Sequence, residues 1–323
     1  MYKLIFTSIT PIHISNGLQL GAGLDYVLLK RNRNELRKFC KLNFNKVAHS
    51  LAGLNKINFN EDINLEKLTK LLKSHLNELF QNHKLDDSFF EYSIDISPQF
   101  NNYYENESNI GRKFVIEFIN SSGKFYVPAS SIKGALLTTL NKDNLGINPR
   151  EPHLKDKFVM SDSDFIDSTN FQVMITNNRP PKVTMICMKK NVQFTLLIRK
   201  DGGLDVSLLR DRLEEYSNTQ ISNAIKNIQP FKSKFHEPKG ADIFEDALIN
   251  IQNISLDKDE YLINLGFGSG SWFKIKEKLV PKFKSKKRNA KKGEYEAAHT
   301  SFTFYDNPIH IGWCKLKIEK SHL

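Results

Sequence analysis

Between Tyr126 and Gly134 the chain reads Y-V-P-A-S-S-I-K-G, which sets two hydroxyls (Ser130, Ser131), an ammonium (Lys133) and a glycine (Gly134) just behind a proline. Those are groups that hold a phosphate. Pro128 ends a strand, Ser130 is placed to cap a helix that begins at Ser131 and runs to Leu140, and Lys133 then falls near the third helical position. A lysine there is locally unfavourable, because a helix N-terminus already carries partial positive charge. An anion at the same place removes the conflict, with backbone N–H groups, hydroxyls and ammonium converging on it. A plain capped helix whose lysine points into water is the competing reading, and spacing alone does not separate the two.

A second constellation is L-G-F-G-S-G-S-W-F-K from Leu265 to Lys274. It is not a dinucleotide fingerprint, since Ser271 stands where the last glycine would be needed, and no G-K-[ST] closes it as a P-loop. Gly266, Gly268 and Gly270, with Ser269 between them, still let backbone approach phosphates, and Trp272 could stack a base. Read alone, this is a tight turn with an aromatic plug. Its basic surroundings shift the balance: from Lys274 to Lys292 there are ten Lys or Arg residues against one acid, Glu277. Lys274, Lys284, Lys286, Lys287 and Arg288 are read as an outer electrostatic clamp on a nucleic-acid backbone.

Other polar residues carry weaker signals. His13, close to Gly17 after the first strand, could touch phosphate or act as a general acid or base, but a structural histidine bonded to backbone is the commoner case. Asp162, Asp164 and Asp167 lack the oxygen ligand that a calcium loop would need where Ile166 stands, and read as turn and cap residues. The three cysteines, Cys40, Cys187 and Cys314, have no metal or redox spacing and read as reduced packing residues. No metal, no cofactor and no catalytic constellation is expected.

The elements that must position these residues are mixed. Tyr2–Thr10 alternates as a strand and ends at Pro11, and residues 12–17 read as a turn-rich exit. Asp25–Lys30 is a second strand. Leu65, Leu68, Leu72, Leu76 and Leu79 recur at helical spacing within a helical insertion at about 45–110, with Asn64 as N-cap and the stripe as a core face. Asn120-Ser121-Ser122-Gly123 is a hairpin between Phe114–Ile119 and Lys124–Val127. Residues 141–180 read as loops or an arm, Thr184–Ile198 as strands, 205–216 and 220–228 as two helices, and 261–265 and 315–318 as strands. This irregular mixture predicts an α+β fold of RRM-like or ferredoxin-like modules with antiparallel sheet, divided into residues 1–180 and 181–323. Pro11-Ile12-His13-Ile14 recurs as Pro308-Ile309-His310-Ile311, too short an echo to indicate duplication.

Composition bounds the partner. Net charge is +11 and the sequence pI is near 9.3, which favours a polyanion, nucleic acid before an acidic membrane surface. No apolar run approaches the ~20 residues of a membrane span. The start reads as a strand rather than a signal peptide, so a cytoplasmic location is expected.

In order along the chain, P-I-H-I-S-N-G, Y-V-P-A-S-S-I-K-G-A-L-L-T, S-D-S at Ser161–Ser163 and L-G-F-G-S-G-S-W resemble the RAMP superfamily of CRISPR proteins. The D-Y-V at Asp25–Val27 and the late H-T-S at His299–Ser301 resemble, more narrowly, the head-side subunit of type III-A effector complexes, named fifth in the Csm series. The resemblance implies RRM-like folding and a non-catalytic subunit that holds the 3′ part of the CRISPR RNA. It further implies contacts with stem and small subunits, and support of guide maturation by host nucleases in antiviral defence. Carried over by motif, it implies guide contacts at His13, Gly17, Ser130, Ser131, Lys133, Gly134, Gly266, Gly268, Ser269 and Gly270. Ala129 replaces the usual glycine of the central motif, and Leu137 stands where arginine is common. The rival reading is a RAMP-type endoribonuclease, metal-dependent through Asp25 or metal-independent through His13. Tyr26-Val27 after Asp25 departs from the catalytic stem pattern, and no second acid or base accompanies His13, so both are set below the binding role.

Overall fold

In β1 (Tyr2–Ser8) side chains alternate between two environments, and Leu4 and Phe6 are fully buried. β1 lies between β11 (Gln193–Ile198) and β15 (Trp313–Lys320), and β12 (Glu260–Asn264) completes a four-stranded, wholly antiparallel sheet in the order β11-β1-β15-β12. Leu4 faces Leu196 and Ile318 across it, and Phe6 faces Phe194 and Leu316. The Phe6 and Phe194 rings stack with centroids 5.0 Å apart. The structure is a computed structural model that describes residues 1–29, 37–52, 65–82, 85–109, 112–140, 159–176, 183–199, 205–228, 238–266, 282–284, 295–297 and 310–321.

A second sheet has seven strands: β2 (Ser15–Gly21), β6 (Phe114–Phe118), β10 (Thr184–Met188), β9 (Phe171–Ile175), β5 (Phe90–Ile96), β4 (Lys38–Leu42) and β3 (Tyr26–Leu29), in that spatial order. The β6/β10 and β5/β9 pairs are parallel and the others antiparallel. Every residue of β10 is buried, so its sequence T-M-I-C-M shows no alternation. Behind this sheet, Phe125 stacks on Phe171 at 4.2 Å and meets Phe118 edge-on. Each such buried ring contributes roughly 2 kcal/mol by leaving water. Phe6 and Leu196 of the first sheet belong to the same continuous core as Ile94 and Val173 of the second.

Helices close the layers. α1 (Phe44–Ala52) and α2 (Leu65–Gln81) bury Val47, Leu51, Leu72 and Leu76 together, with Leu79 packed against them, so these members of the leucine stripe form a core face; the side chains of Leu65 and Leu68 lie outside the described residues. α3 (Pro98–Asn106) starts with Pro98 in its first turn and Ser97 as N-cap, whose Oγ accepts the Phe100 N–H at 3.1 Å. α4 (Ala129–Leu140) follows the hairpin of β7 (Asn120–Ser121) and β8 (Lys124–Phe125). Near the C-terminal half, α5 (Val206–Ile228) and α6 (Pro238–Gln252) cover β12 through Ile221, Ala224, Leu248 and Ile251, which pack with Leu262 and Trp313. β13 (Lys282–Lys284) pairs with β14 (Tyr295–Ala297). No helix among the described residues is long and apolar enough to cross a membrane.

The α+β class with antiparallel sheet is as expected, and several local expectations are corrected. Of the turn-rich exit expected at 12–17, residues 15–17 instead begin the strand β2, which pairs with β6 with a register shift between Ser15 and Gln19. Within the expected arm, Phe171–Ile175 is a strand inside the seven-stranded sheet, and the insertion at 45–110 contains β5. The two helices expected at 205–216 and 220–228 are one. In the expected gap the Thr219 hydroxyl donates to the Glu215 carbonyl at 2.7 Å and Ser217 Oγ accepts the Leu262 N–H at 2.7 Å. Their side chains serve the helix and the neighbouring edge strand, and the helix continues. The two sheets are also interleaved in sequence. β1 joins the C-terminal strands and β10 joins the N-terminal ones, so a division between 180 and 181 would cut through both.

Candidate nucleic-acid interface

From Lys124 to Ser130 burial alternates strictly: Phe125, Val127 and Ala129 are inside, while Lys124, Tyr126, Pro128 and Ser130 face outward to differing degrees. The period is that of a strand, and it carries an exposed hydroxyl to the start of α4. The helix begins at Ala129, two residues before the expected start, and directly after Pro128, whose carbonyl accepts the Ser131 N–H at 3.0 Å. Ser130 is therefore inside the first turn and is not the N-cap. The capping oxygen comes from elsewhere: Asp162 Oδ1 accepts the Ala129 N–H at 2.7 Å. Lys133 is half-buried and Gly134 exposed on the next turn, and nothing lies within 4 Å of where a Gly134 Cβ would be. The carboxylate of Asp162 supplies part of the negative charge that the lysine-bearing turn calls for.

The S-D-S motif is thereby explained residue by residue. Ser161 Oγ accepts the Leu197 N–H at 3.0 Å, Asp162 caps α4, and Ser163 Oγ accepts the Val127 N–H at 2.8 Å. The Ser163 and Ile166 amides donate in turn to the Val127 and Phe125 carbonyls. The motif is a clip between β11 of one sheet and the entry to α4. Asp167 caps a short 3₁₀ turn at Ser168–Asn170. Asp162 and Asp167 are the cap residues expected, but the partners of Ser161, Asp162 and Ser163 lie 36, 33 and 36 residues away, and local spacing does not identify them.

The turn after the first strand and the start of the glycine loop meet. Gly266 has φ +87°, and a Cβ there would strike the carbonyl oxygen of His13. Gly312, at φ +94°, donates its N–H to the Pro11 carbonyl at 2.9 Å and accepts from the Leu265 N–H at 2.6 Å. Gly312, just after the second P-I-H-I, is thus bonded to Pro11 of the first. The histidines of the two segments are both fully buried but differently bonded: His13 Nδ1–H donates to the Ile186 carbonyl at 2.7 Å, while His310 Nδ1 accepts from the Trp313 indole N–H at 2.9 Å.

Burial lowers the His13 pKa to about 4, against a smaller opposing effect of the Ile186 bond. The imidazole is therefore neutral and inside. The expectation that His13 reaches phosphate from the surface is corrected, since its ring packs edge-on against Phe118 in the core.

Gly17, by contrast, is exposed at φ +86° with open space around it. Its neighbour Asn16 donates from Nδ2 to Glu117 Oε2 at 2.7 Å. Glu117 is almost fully buried and also accepts from Lys41 Nζ at 2.7 Å and the Tyr92 hydroxyl at 2.8 Å. Burial acts to raise its pKa, but hydrogen bonds from Lys41, Asn16 and Tyr92 and the Lys41 charge outweigh that and lower it. Lys41 also pairs with Glu91 at 3.0 Å. Asp25 Oδ2 accepts the Gly21 N–H at 2.7 Å and so fastens the turn between β2 and β3.

Of the basic run, Lys284 lies on the short strand β13. Gly268, Ser269, Gly270, Trp272, Lys274, Lys286, Lys287 and Arg288 lie outside the described residues. The contacts that are described bring His13 and Gly266 together and hold Ser130, Ser131, Lys133 and Gly134 on a separately clipped helix. Phe118 and Phe125 link the two regions through the core, because Phe118 touches both the His13 and the Phe125 rings.

A family model described as the RAMP superfamily matches residues 5–312 of the chain. The crystal structure of T. onnurineus Csm5 superposes with a TM-score of 0.55 at 13% identity, covering 96% of this chain and 99% of that one. A chain of a cryo-EM structure of a Csm–crRNA–target RNA ternary complex of a type III-A CRISPR-Cas system gives a TM-score of 0.60 at 15% identity, covering 98% and 100%. At such identities the likeness is one of fold. No curated protein sequence matches.

Proposed function

The chain belongs to the RAMP superfamily, and from that premise we propose that it is the head-side, RNA-holding subunit of a type III-A Csm effector complex. In this reading it binds the 3′ part of the CRISPR RNA, caps the backbone of the assembly beside stem and small subunits, and works in the cytoplasm. The observation that carries it is the near-complete two-way coverage between this chain and the Csm5 crystal structure, with the family match running over the same length. A chain from a guide-bearing Csm complex covers it as fully, which supports CRISPR RNA and the other Csm subunits as partners.

The site geometry supports holding rather than cutting. His13 is buried, neutral and bonded to Ile186, so it presents no acid or base to a bound strand, while the exposed Asp25 engages its Oδ2 with the Gly21 N–H that closes a turn. The exposed hydroxyl of Ser130, half-buried Ser131 and Lys133, and exposed Gly134 and Gly17 remain as the guide-facing residues, and Gly266 becomes a packing residue of the loop that leads to Gly268–Gly270. The basic run from Lys274 adds the charge that a phosphodiester backbone requires.

Two experiments test this reading. Expressed with its genomic neighbours, the chain should co-purify with a short RNA carrying a fixed repeat-derived 5′ end and with other Csm subunits; recovery without RNA contradicts the proposal. Incubated with labelled guide and matched target RNA, with and without magnesium or manganese, it should release no fragment. A product abolished by Asp25→Ala or His13→Ala would replace the binding role with the enzymatic one.

A further inference from the structure

Among the described residues, a large aromatic ring sits on the surface beside the entry to α4. Phe165 is 61% exposed. Its exposure does not come from a loose loop, since the next residue, Ile166, is buried and donates its N–H to the Phe125 carbonyl at 2.8 Å. Two residues earlier Ser163 is bonded to Val127 in both directions. Phe165 therefore points outward on a segment fixed on both sides, by Ser163 bonded to Val127 and by the inward-facing Ile166 bonded to Phe125.

Two residues of the facing strand complete the feature. Tyr126 meets Phe165 edge-on, with centroids 6.4 Å apart and planes at 85°. Lys124 holds its ammonium 5.3 Å from the Phe165 centroid, within cation–π range. Lys124 and Tyr126 lie on the outward face whose next members are Pro128 and Ser130, so the ring, the cation and the hydroxyl at the start of α4 form one continuous strip.

We propose that Phe165, flanked by Tyr126 and Lys124, is a stacking shelf for one unpaired nucleobase of the RNA strand that passes the first turn of α4. The proposal rests on the RNA-holding reading and adds a base contact to it. A π-face held rigid at the surface takes any base, so the shelf confers affinity and register without sequence preference. The neighbouring Asp164 disfavours a phosphate directly at the ring, which suits an uncharged base there, with the phosphates directed toward Lys124 and Lys133. A protein partner would call for an apolar patch around the ring. Lys124, Tyr126 and Asp164 surround it instead.

The test uses the full chain with two fluorescent probes of equal length, oligouridylate and an abasic oligonucleotide with the same number of phosphates. Wild type should prefer the base-bearing probe. Phe165→Leu should weaken oligouridylate binding about tenfold, leave abasic binding and the salt slope unchanged, and Phe165→Trp should retain wild-type affinity. If wild type binds oligouridylate and Phe165→Leu binds it equally well, the shelf is wrong while RNA holding stands. If Phe165→Leu leaves RNA binding intact but loses co-purification with other subunits, the ring is a protein contact and the proposal fails. If wild type binds neither probe at any salt concentration, shelf and RNA-holding reading fall together.

Discussion

Gly266 presses its bare Cα against the backbone carbonyl of His13, joining the start of the glycine loop to the turn after the first strand. Both its positive φ and the lack of room exclude a side chain. Gly266→Ala should cost at least about 1–3 kcal/mol of stability and displace the His13 turn. Urea denaturation of the variant checks this; an unchanged midpoint and slope would show that the junction is soft.

His13 makes stability depend on acid. Its pKa is about 4 in the fold and 6.5 in its ordinary state, so between those values the unfolded chain binds the proton and the folded chain does not. The contribution is fully present above pH 6.5 and is lost as pH falls toward 4, amounting to roughly 3 kcal/mol. His13→Asn, which can still donate to the Ile186 carbonyl, should flatten this part of the profile. Denaturation midpoints of variant and wild type at pH 7 and pH 4.5 should converge in acid. A parallel decline in both would remove His13 as the cause.

Lys41 and Glu117 form an ion pair at 2.7 Å in which the carboxylate side chain is 1% exposed. Removing the cation leaves a buried charge held only by Asn16 and Tyr92. Lys41→Met should destabilise the fold by about 3 kcal/mol and loosen the Asn16–Gly17 segment that depends on Glu117. Chemical denaturation and amide exchange at Gly17 and Leu18 measure both effects; a neutral substitution would mean that Glu117 is satisfied without it.

Legibility in the sequence tracks the range over which each signal acts. Leu4 and Phe6 alternate because one face of their strand is buried, and Leu72, Leu76 and Leu79 of α2 recur because one face of that helix is, so both could be read directly. β9 could not, since its five residues lie within a stretch dominated by Asn, Asp, Ser and Pro. The cap of α4 was hidden for a different reason: the local rule offers Ser130, while the oxygen used belongs to Asp162, bonded to an amide 33 residues away. His13 was equally beyond local reading, because its fate is decided by the Ile186 carbonyl on β10. Of the candidate site, the residue types and their order were legible. Which of them face solvent was not, and that distinction separates Ser130 and Gly17 from His13 and Gly266.

Central to the proposed role is an RNA strand held at the first turn of α4 through Lys133. Equilibrium binding of a fluorescent single-stranded RNA to the full chain, measured across salt concentrations for wild type and Lys133→Ala, tests it most directly. Affinity should fall with salt for both, and the variant should bind more weakly at low salt with a log–log slope shallower by about 0.7–1, the loss of one phosphate contact. Identical affinity and identical slope for the two proteins would contradict it.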